Sequence, residues 1–546
     1  MDFALQLTAE VGFWVRPDYV AQMRQYAEET KAELQEALFM KGLVKMRTTG
    51  EHKGTIGMDA KEVQDMVRAA FLDAGVEPPY SDGGLKDKLA WEEAEALGED
   101  TDRLTPPEKW GVKRDQQTLK ECPGRKAEAY RAWQEAQRLC DVFMPILERP
   151  NLRTAFNSLI LTTRTSSGAD EENGGSEINS QNLKKEGGIQ QAFRPPTPEE
   201  ADVVRNRLKL PRYRLTNGDR YVFLAGDYAS GELYPLSIKM IYDRTGRIGY
   251  EPGLSPLADD LMHGTDVLSK VAATELRVDY DYFVKNRKGS SGEAKKFKKA
   301  RQNEKPVLYG AGGMMGPKTM AVQAFAKDGT KMASLPGGLW DVQGSIRVAA
   351  ALLKTTLQLY PDLAEHRDRY SDWSRRYLAF CLPSWLQRGD CKPTEAGNFV
   401  FQPPVARMAK RAVFEVWRAI YRGDPDFEGC LGVQGFLHDE LRLIVPESMV
   451  HFSGEALRRI MLASKEIECP GMTLQSQVVP VATEVMEKDA EPSYLDGRLI
   501  VTPNSRPVAV RPPAPWNEDG EGSAYAWINR GIEQTIHDEM MAEIHS

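Results

Sequence analysis

At 546 residues, with 41% hydrophobic and 27% charged positions, the chain is too long for one core and divides into about three or four lobes of ordinary globular composition. No apolar run reaches the roughly 20 residues of a membrane-spanning helix, and Met1-Asp2-Phe3 lacks the basic start of a signal peptide, so neither is expected. Cys122, Cys140, Cys381, Cys391, Cys430 and Cys469 are scattered without a CxxC pair or metal spacing, which excludes structural zinc and fits reduced thiols in a cytoplasm. The net charge of −8 does not itself mark a nucleic-acid binder; its distribution matters more.

Residues 17–41 are expected to be a helix, with Val20, Met23 and Ala27 at helical spacing and Gly42 where a C-cap belongs. Residues 45–125, rich in Gly, Pro and acids, show no clear period. A second long helix is expected over 124–147, and 165–190 reads as loop. Tyr221 to Gly226 is a short apolar strand running into Asp227. From Lys285 to Lys305 the chain carries nine cations against Glu293 and Glu304 only. Residues 344–359 and 405–422 are amphipathic, the second ending at Gly423. Residues 431–445 form a hairpin with its tight turn at His438-Asp439. The last 60 residues are Pro- and acid-rich up to a helical segment at 524–543, and no internal repeat is present. Acid-bearing strands separated by a long helical insertion predict an α+β fold in which a helical lobe is inserted into a catalytic one.

Two acids at strand ends carry the chemical reading. Asp227 ends the strand in Ala-Gly-Asp-Tyr-Ala-Ser-Gly-Glu-Leu (225–233), and Asp439 sits in the turn Phe-Leu-His-Asp-Glu-Leu (436–441). A buried strand delivers a carboxylate to its tip only where something compensates the charge, and a turn in which Asp439 adjoins Glu440 calls for a cation still more. Between them, Arg301, Lys305 and Tyr309 recur every fourth residue, which places all three on one face of a helix.

The order of these motifs resembles family A DNA polymerases, the group of bacterial DNA polymerase I and several phage replicases, here as a phage-type polymerase portion. Asp227 to Leu233 resembles motif A, Arg301 to Gly310 motif B, and His438-Asp439-Glu440 motif C. Thr163 to Ser167 resembles the element that touches the primer end, and Asn179 to Leu183 the Asn-Leu-Gln-Asn after it. Asn398 to Gln402, with the helix after it, resembles the Asn-xxx-Gln element contacting template and primer. The likeness spans roughly residues 10–486, with its specific motifs within 153–445. Three positions depart from the pattern: Pro306 lies inside the motif B helix, Gly313 replaces a second tyrosine, and Thr163 replaces a glycine. His263 is off by one from the family's phosphate-contacting histidine. A P-loop reading of Gly310 to Thr319 fails because Pro317 separates Gly from Lys. His366-Arg367-Asp368 copies a kinase triplet, but Trp373 stands where the metal-binding Asn belongs.

The resemblance implies a right hand: lead-in and thumb over 1–150, palm over 151–245 and 386–486, fingers over 246–385, and a C-terminal extension over 487–546. It implies DNA synthesis from dNTPs with two Mg²⁺ ions, Mn²⁺ substituting, held by Asp227, Tyr228 and Asp439, with Glu440 supporting them. It assigns Arg301, Lys305, Tyr309, Glu232 and His263 to the dNTP, with Glu232 closing the space beside the 2′ carbon. Arg164, Gln181, Asn182, Asn398, Gln402 and His438 fall to primer-template DNA. The thumb-like pattern starting near Ala9-Glu10-Val11-Gly12 leads to the expectation that this chain lacks a 3′–5′ exonuclease, with any editing left to a separate exonuclease or an upstream segment, and a separate exonuclease or processivity factor is a candidate partner. A single-subunit RNA polymerase and an inactive polymerase-like DNA-binding subunit are the alternatives; Glu232 argues against the first, and the retained Asp227, Asp439, Arg301 and Lys305 against the second.

Overall fold

The computed structural model describes residues 2–502 apart from 50–52, 98–100, 102–103, 115–117, 120–121, 149–151, 153–154, 158–165, 169–188, 217, 290, 329, 335–339, 374–378, 438 and 487–489. Arg164, Gln181, Asn182, His438 and the expected helix at 524–543 therefore lie outside the described residues.

In chain order the first helices are α1 (Asp2–Val11), α2 (Pro17–Met40), α3 (Ala60–Asp73) and α4 (Arg125–Arg138). α2 opens on Pro17, where a missing N–H costs nothing, and ends before Gly42 at φ +73. Val20, Met23, Ala27, Leu34 and Leu38 make its buried stripe, and α4 is its main neighbour. The stretch 45–125, which shows no period in sequence, contains a three-residue strand pair (Val44–Met46 with Ile56–Met58), α3 capped by Asp59, and a helix at Asp82–Leu97. Strands of three residues are too short to leave a period behind, but α3 buries Val63, Val67 and Phe71 at four-residue spacing, a helical signal present in the sequence.

Strand β1 (Tyr221–Asp227) leads into α5 (Leu233–Thr245), α6 (Pro256–Met262), α7 (Val267–Leu276), α8 (Gly292–Gly312), α9 (Pro317–Asp328), α10 (Val342–Leu359) and α11 (Pro361–Trp373). In this helical lobe α8 packs against α7, α9, α10 and α11. That packing carries α8 straight through Pro306, which in an isolated helix would cost about 3 kcal/mol. Helix α12 runs from Pro393 to Arg422, beginning well before the amphipathic pattern at 405. Pro403 and Pro404 conceal its first half, so Asn398 and Gln402 lie within the helix and one turn apart, not ahead of it.

β2 (Gly432–Leu437), β3 (Glu440–Pro446), α13 (Val450–Glu468) and β4 (Val481–Thr483) complete the catalytic-lobe candidate. The sheet is antiparallel throughout, in the order β2-β3-β1-β4. Tyr221, Val222, Phe223 and Leu224 are buried one after another, as expected of a strand covered on both faces. Alternation sends Leu224 and Gly226 toward α13, where Leu457 and Met461 approach so closely that a Cβ on Gly226 would lie 2.9 Å from Met461 Sδ. Phe223, Ala225 and Asp227 point to the other face.

At the far end of the sheet, α1 packs on β2 and α12, and Trp417 Nε1 donates to Thr8 Oγ1 at 3.0 Å in the core. Gly432 meets this tryptophan at φ +114, where an added Cβ would come 2.0 Å from Trp417 Cη2. Gly253 has φ +82 but open space around it. Gly432→Ala should therefore destabilise the protein by about 3 kcal/mol or more, and Gly253→Ala by only about 1 kcal/mol from backbone strain alone. Thermal unfolding of the two variants tests this; equal losses would show that the Trp417 contact does not constrain the hairpin.

Candidate active site

β3 pairs with β1 so that Glu440 is opposite Asp227, Leu441 opposite Gly226 and Arg442 opposite Ala225. Asp227 is exposed at the tip of β1, and Asp439 is half-buried in the turn one residue before β3, so both carboxylates emerge at one end of the sheet. The loop after Asp227 folds back against Asp439: a Cβ on Gly231 would lie 3.7 Å from Asp439 Oδ2. Ala229 N donates to Gln477 O at 2.9 Å and Leu233 N to Ser230 O at 2.9 Å, with Ser230 at φ +54. The Tyr228 ring is buried and its hydroxyl donates to Met461 O at 2.9 Å, leaving only its main chain for the site. Cross-strand neighbours share a face, so Glu440 and Arg442 lie on the same side as Asp227. Glu440 forms a buried ion pair through Oε1 with Arg442 at 2.5 Å.

α8 brings the second group of residues. Tyr309 is half-buried against the loop after β1. Burial, with the carboxylates of Glu232 and Asp439 nearby, pushes its phenol up to about 12, and a hydrogen bond with Ser230 opposes that rise. Glu232 stands at the N-cap of α5, half-buried. Lys305, one turn before Tyr309, is exposed. Arg301, a turn earlier, donates Nε to Asp266 Oδ2 at 2.8 Å and Nη2 to Asp266 Oδ1 at 3.3 Å, and Arg287 approaches the same carboxylate at 3.1 Å. Burial alone would raise the Asp266 carboxyl, but Arg301, Ser269 and Arg287 hold it below the usual carboxylate range.

The remaining assigned residues divide. Asn398 lies against the C-terminal end of α8, with its Oδ1 2.6 Å from where a Cβ on Gly313 would be, and Gln402 follows one helical turn later. His263 is exposed at the end of α6, its Nδ1 2.6 Å from Asp259 O, three residues before Asp266. Asp266, Ser230 and Gln477 were not singled out by sequence. For Asp266 a signal existed, since Asp266-x-x-Ser269 has the spacing of a helix N-cap; Ser230, which bonds Tyr309, and Gln477, whose backbone carbonyl holds Ala229, meet partners far away in sequence and leave none.

Whether a divalent cation fits can be judged from the donors. Asp227 and Asp439 supply hard oxygen atoms at one end of the sheet, beside the Tyr228 main chain. Among the described residues no group of three or more His, Cys, Asp or Glu side chains is placed to hold a metal. Two carboxylates with the rest of the shell left open suits Mg²⁺, which is held by one or two carboxylates plus substrate phosphates and water. The residues fit.

No protein-family model and no curated protein matches the chain. A solved structure with the same fold is the POL domain of Pol1 from M. smegmatis in complex with DNA primer-template and dNTP, with a TM-score of 0.52 at 16% identity, covering 89% of this chain and 70% of that one. No helix among the described residues is long and apolar enough to cross a membrane. The chain has the α+β right-hand fold of a polymerase domain, an antiparallel sheet with helical lobes around it.

Proposed function

We propose that the chain is a template-directed DNA polymerase of the family A type, extending a primer 3′-hydroxyl with dNTPs and releasing pyrophosphate. The observation that carries this reading is the convergence of Asp227, Asp439, Glu232 and Tyr309 on one loop at the end of the central sheet. In this reading the sheet belongs to the palm, α6 to α11 belong to the fingers, and α1 to α4 form the lead-in and thumb. Primer-template DNA and dNTPs are the partners, as in the complex with the similar fold.

Asp227 and Asp439, with the Tyr228 carbonyl, would hold Mg²⁺. Two ions held there would supply Lewis-acid chemistry, making the 3′-hydroxyl more acidic and offsetting charge on the leaving pyrophosphate. The chain's own contribution is position. The register of β1 and β3 holds the two carboxylates at one end of the sheet, and Arg442 pairs with Glu440 beside them. Arg301 and Lys305 take triphosphate oxygens along one face of α8, and Tyr309 stacks on the incoming base or sugar. Glu232 fills the volume beside the 2′ carbon, while Asn398 and Gln402 face the template and primer. Since the carboxylates hold metal and not DNA, Asp227→Ala and Asp439→Ala should each reduce primer extension by at least about 10³-fold with primer-template affinity kept. Extension near the parent rate by either variant would refute the reading.

Glu232→Ala should open the 2′ volume, raising the ratio of NTP to dNTP incorporation by at least about tenfold, roughly 1.4 kcal/mol of discrimination. Single-nucleotide kinetics with matched dNTP and NTP measure it; an unchanged ratio places the gate elsewhere, and NTP preference in the parent would favour the RNA polymerase reading.

The phage-type polymerase portion is further proposed to lack proofreading, with any editing supplied by a separate polypeptide or by a segment upstream of these residues. Residues 58–103 contain acids but no strand pattern to present them as a nuclease cluster. A primer with a mismatched 3′ end should stay intact with Mg²⁺ and no dNTPs. Shortening of that primer that persists in Asp227→Ala and Asp439→Ala would reveal a second nuclease site.

A further inference from the structure

The basic run around the start of α8 forms a surface that none of the roles above uses. Lys285, Lys288, Lys295, Lys296, Lys298 and Lys299 are all exposed, and none has an ion-pair partner among the described residues. Their arrangement is unfavourable for the isolated protein. Lys295 meets Lys298 and Lys299, and Lys296 meets Lys299, at the three- and four-residue spacings where like charges repel on a helix, by about 0.2–0.5 kcal/mol per pair. They also crowd the first half of a helix capped by Ser291, the end at which the helix dipole disfavours cations. An ordinary solvated face interleaves acids. Here the one exposed acid of the run, Glu293, accepts hydrogen bonds from the Tyr282 hydroxyl at 3.0 and 3.2 Å.

Tyr282 supplies an independent observation. It is 47% exposed, yet its ring is braced edge-on against Phe297 at 6.2 Å, and Phe297 stacks on Phe283 at 4.6 Å. Phe283 and Phe297 form, with Ala272 and Ala273, a small core of their own, separate from the main one. A rigidly supported, half-exposed aromatic ring packed on the helix that carries these lysines is the combination by which proteins hold single-stranded nucleic acid, with cations on phosphates and a ring under a base. The distance along α8 suits such a strand. The other end of α8 is packed on α12 at Gly312, Gly313 and Gly397, beside Asn398. The lysines at 295–299 lie 10–14 residues before Tyr309 on one continuous helix, a distance of about 15–21 Å along its axis. At about 3.4 Å per stacked nucleotide that is roughly four to six nucleotides.

We propose that Tyr282 and these lysines form a binding site for unpaired template strand, four to six nucleotides ahead of the insertion point. The assignment to template rests on the polymerase reading; the single-strand site itself does not. The test uses fluorescence anisotropy, without dNTPs, on primer-templates whose 5′ template overhang is one or eight nucleotides long. The full chain should bind the long overhang about tenfold more tightly than the short one at roughly 0.1 M salt. Replacing Lys295, Lys296, Lys298 and Lys299 together by Gln should abolish that gain, leave one-nucleotide-overhang binding unchanged, and reduce the salt slope by about 3. Tyr282→Ala should lose roughly fivefold or more of the same gain. Equal affinity for both overhangs in the parent, or an undiminished gain in the lysine variant, would overturn the proposal and leave an acidic protein as the partner of this face. Primer extension on the one-nucleotide overhang separates the two readings. If the parent fails to extend but still binds by overhang length, the site stands and the polymerase reading falls.

Discussion

The pairing of β3 with β1, with Glu440 opposite Asp227, is the constraint on which the candidate site depends. Side chains alternate with a period of two, so a one-residue slip would turn Asp227 onto the α13 face. Leu457 and Met461 leave room there for nothing larger than Gly226. The same register brings Asp439, from a turn far along the chain, to the end of the sheet that Asp227 occupies. It also aligns a third carboxylate, Glu440, with the first two. Arg442, two residues on and therefore on the same face, is 2% exposed and neutralises it. Removing either partner would leave an uncompensated charge in a buried position, the costly half of any buried pair.

The helical lobe is tied to that sheet by close backbone contact. A Cβ on Gly397 of α12 would come within 3.1 Å of Gly312 O in α8, and one on Gly312 within 2.7 Å of Leu236 Cδ2 in α5. α8 therefore touches both the helix that follows Glu232 and the helix that carries Asn398. The end of α8 and the turn after it are gripped by Arg367 of α11: Nη1 donates to Ala311 O at 2.7 Å and Nη2 to Met315 O, three residues past the helix, at 3.0 Å. A cation at that end is favoured by the helix dipole as well. Gly313 follows from the same crossing, since any side chain there would enter the space taken by the Asn398 amide.

Much of this was legible in the sequence, unevenly and for physical reasons. Asp227 and Asp439 declared themselves because a buried strand ending in an acid is expensive and rare. Arg301, Lys305 and Tyr309 showed the four-residue period that one helix face imposes. The first half of α12 stayed hidden because Pro403 and Pro404 act against a helix locally, and only its burial among α5, α11 and α13 outweighs them. Arg367 looked like part of a failed kinase triplet because its partners are backbone carbonyls at the end of α8 and just after it, which no spacing records. Nor does the pattern around Arg301 disclose Glu304, which turns inward from the same helix. It is wholly buried against Thr356, and that burial holds its carboxyl well above the usual range. A run of charged letters thus concealed one group that is not on the charged surface at all.

The pairing of Arg301 with Asp266 bears on how such a surface would receive a substrate. Asp266 caps α7 through Ser269 N while its two oxygens take Arg301 and one of them also takes Arg287. The carboxylate thus already offers Arg301 a forked pair of acceptor oxygens, the geometry in which guanidinium groups bind both carboxylates and phosphates. In the proposed reading a triphosphate must either displace Asp266 or bind Arg301 through donors that the carboxylate leaves open. Displacement would strip Asp266 of one cation but leave it Arg287 and its helix cap, so the carboxylate would not be stranded. The exchange is then between two anions of similar geometry on one guanidinium. Its cost is bounded by the modest worth of a partly exposed ion pair. Lys305 is exposed and adds charge that Asp266 does not share, which tilts that exchange toward the ligand carrying the greater negative charge.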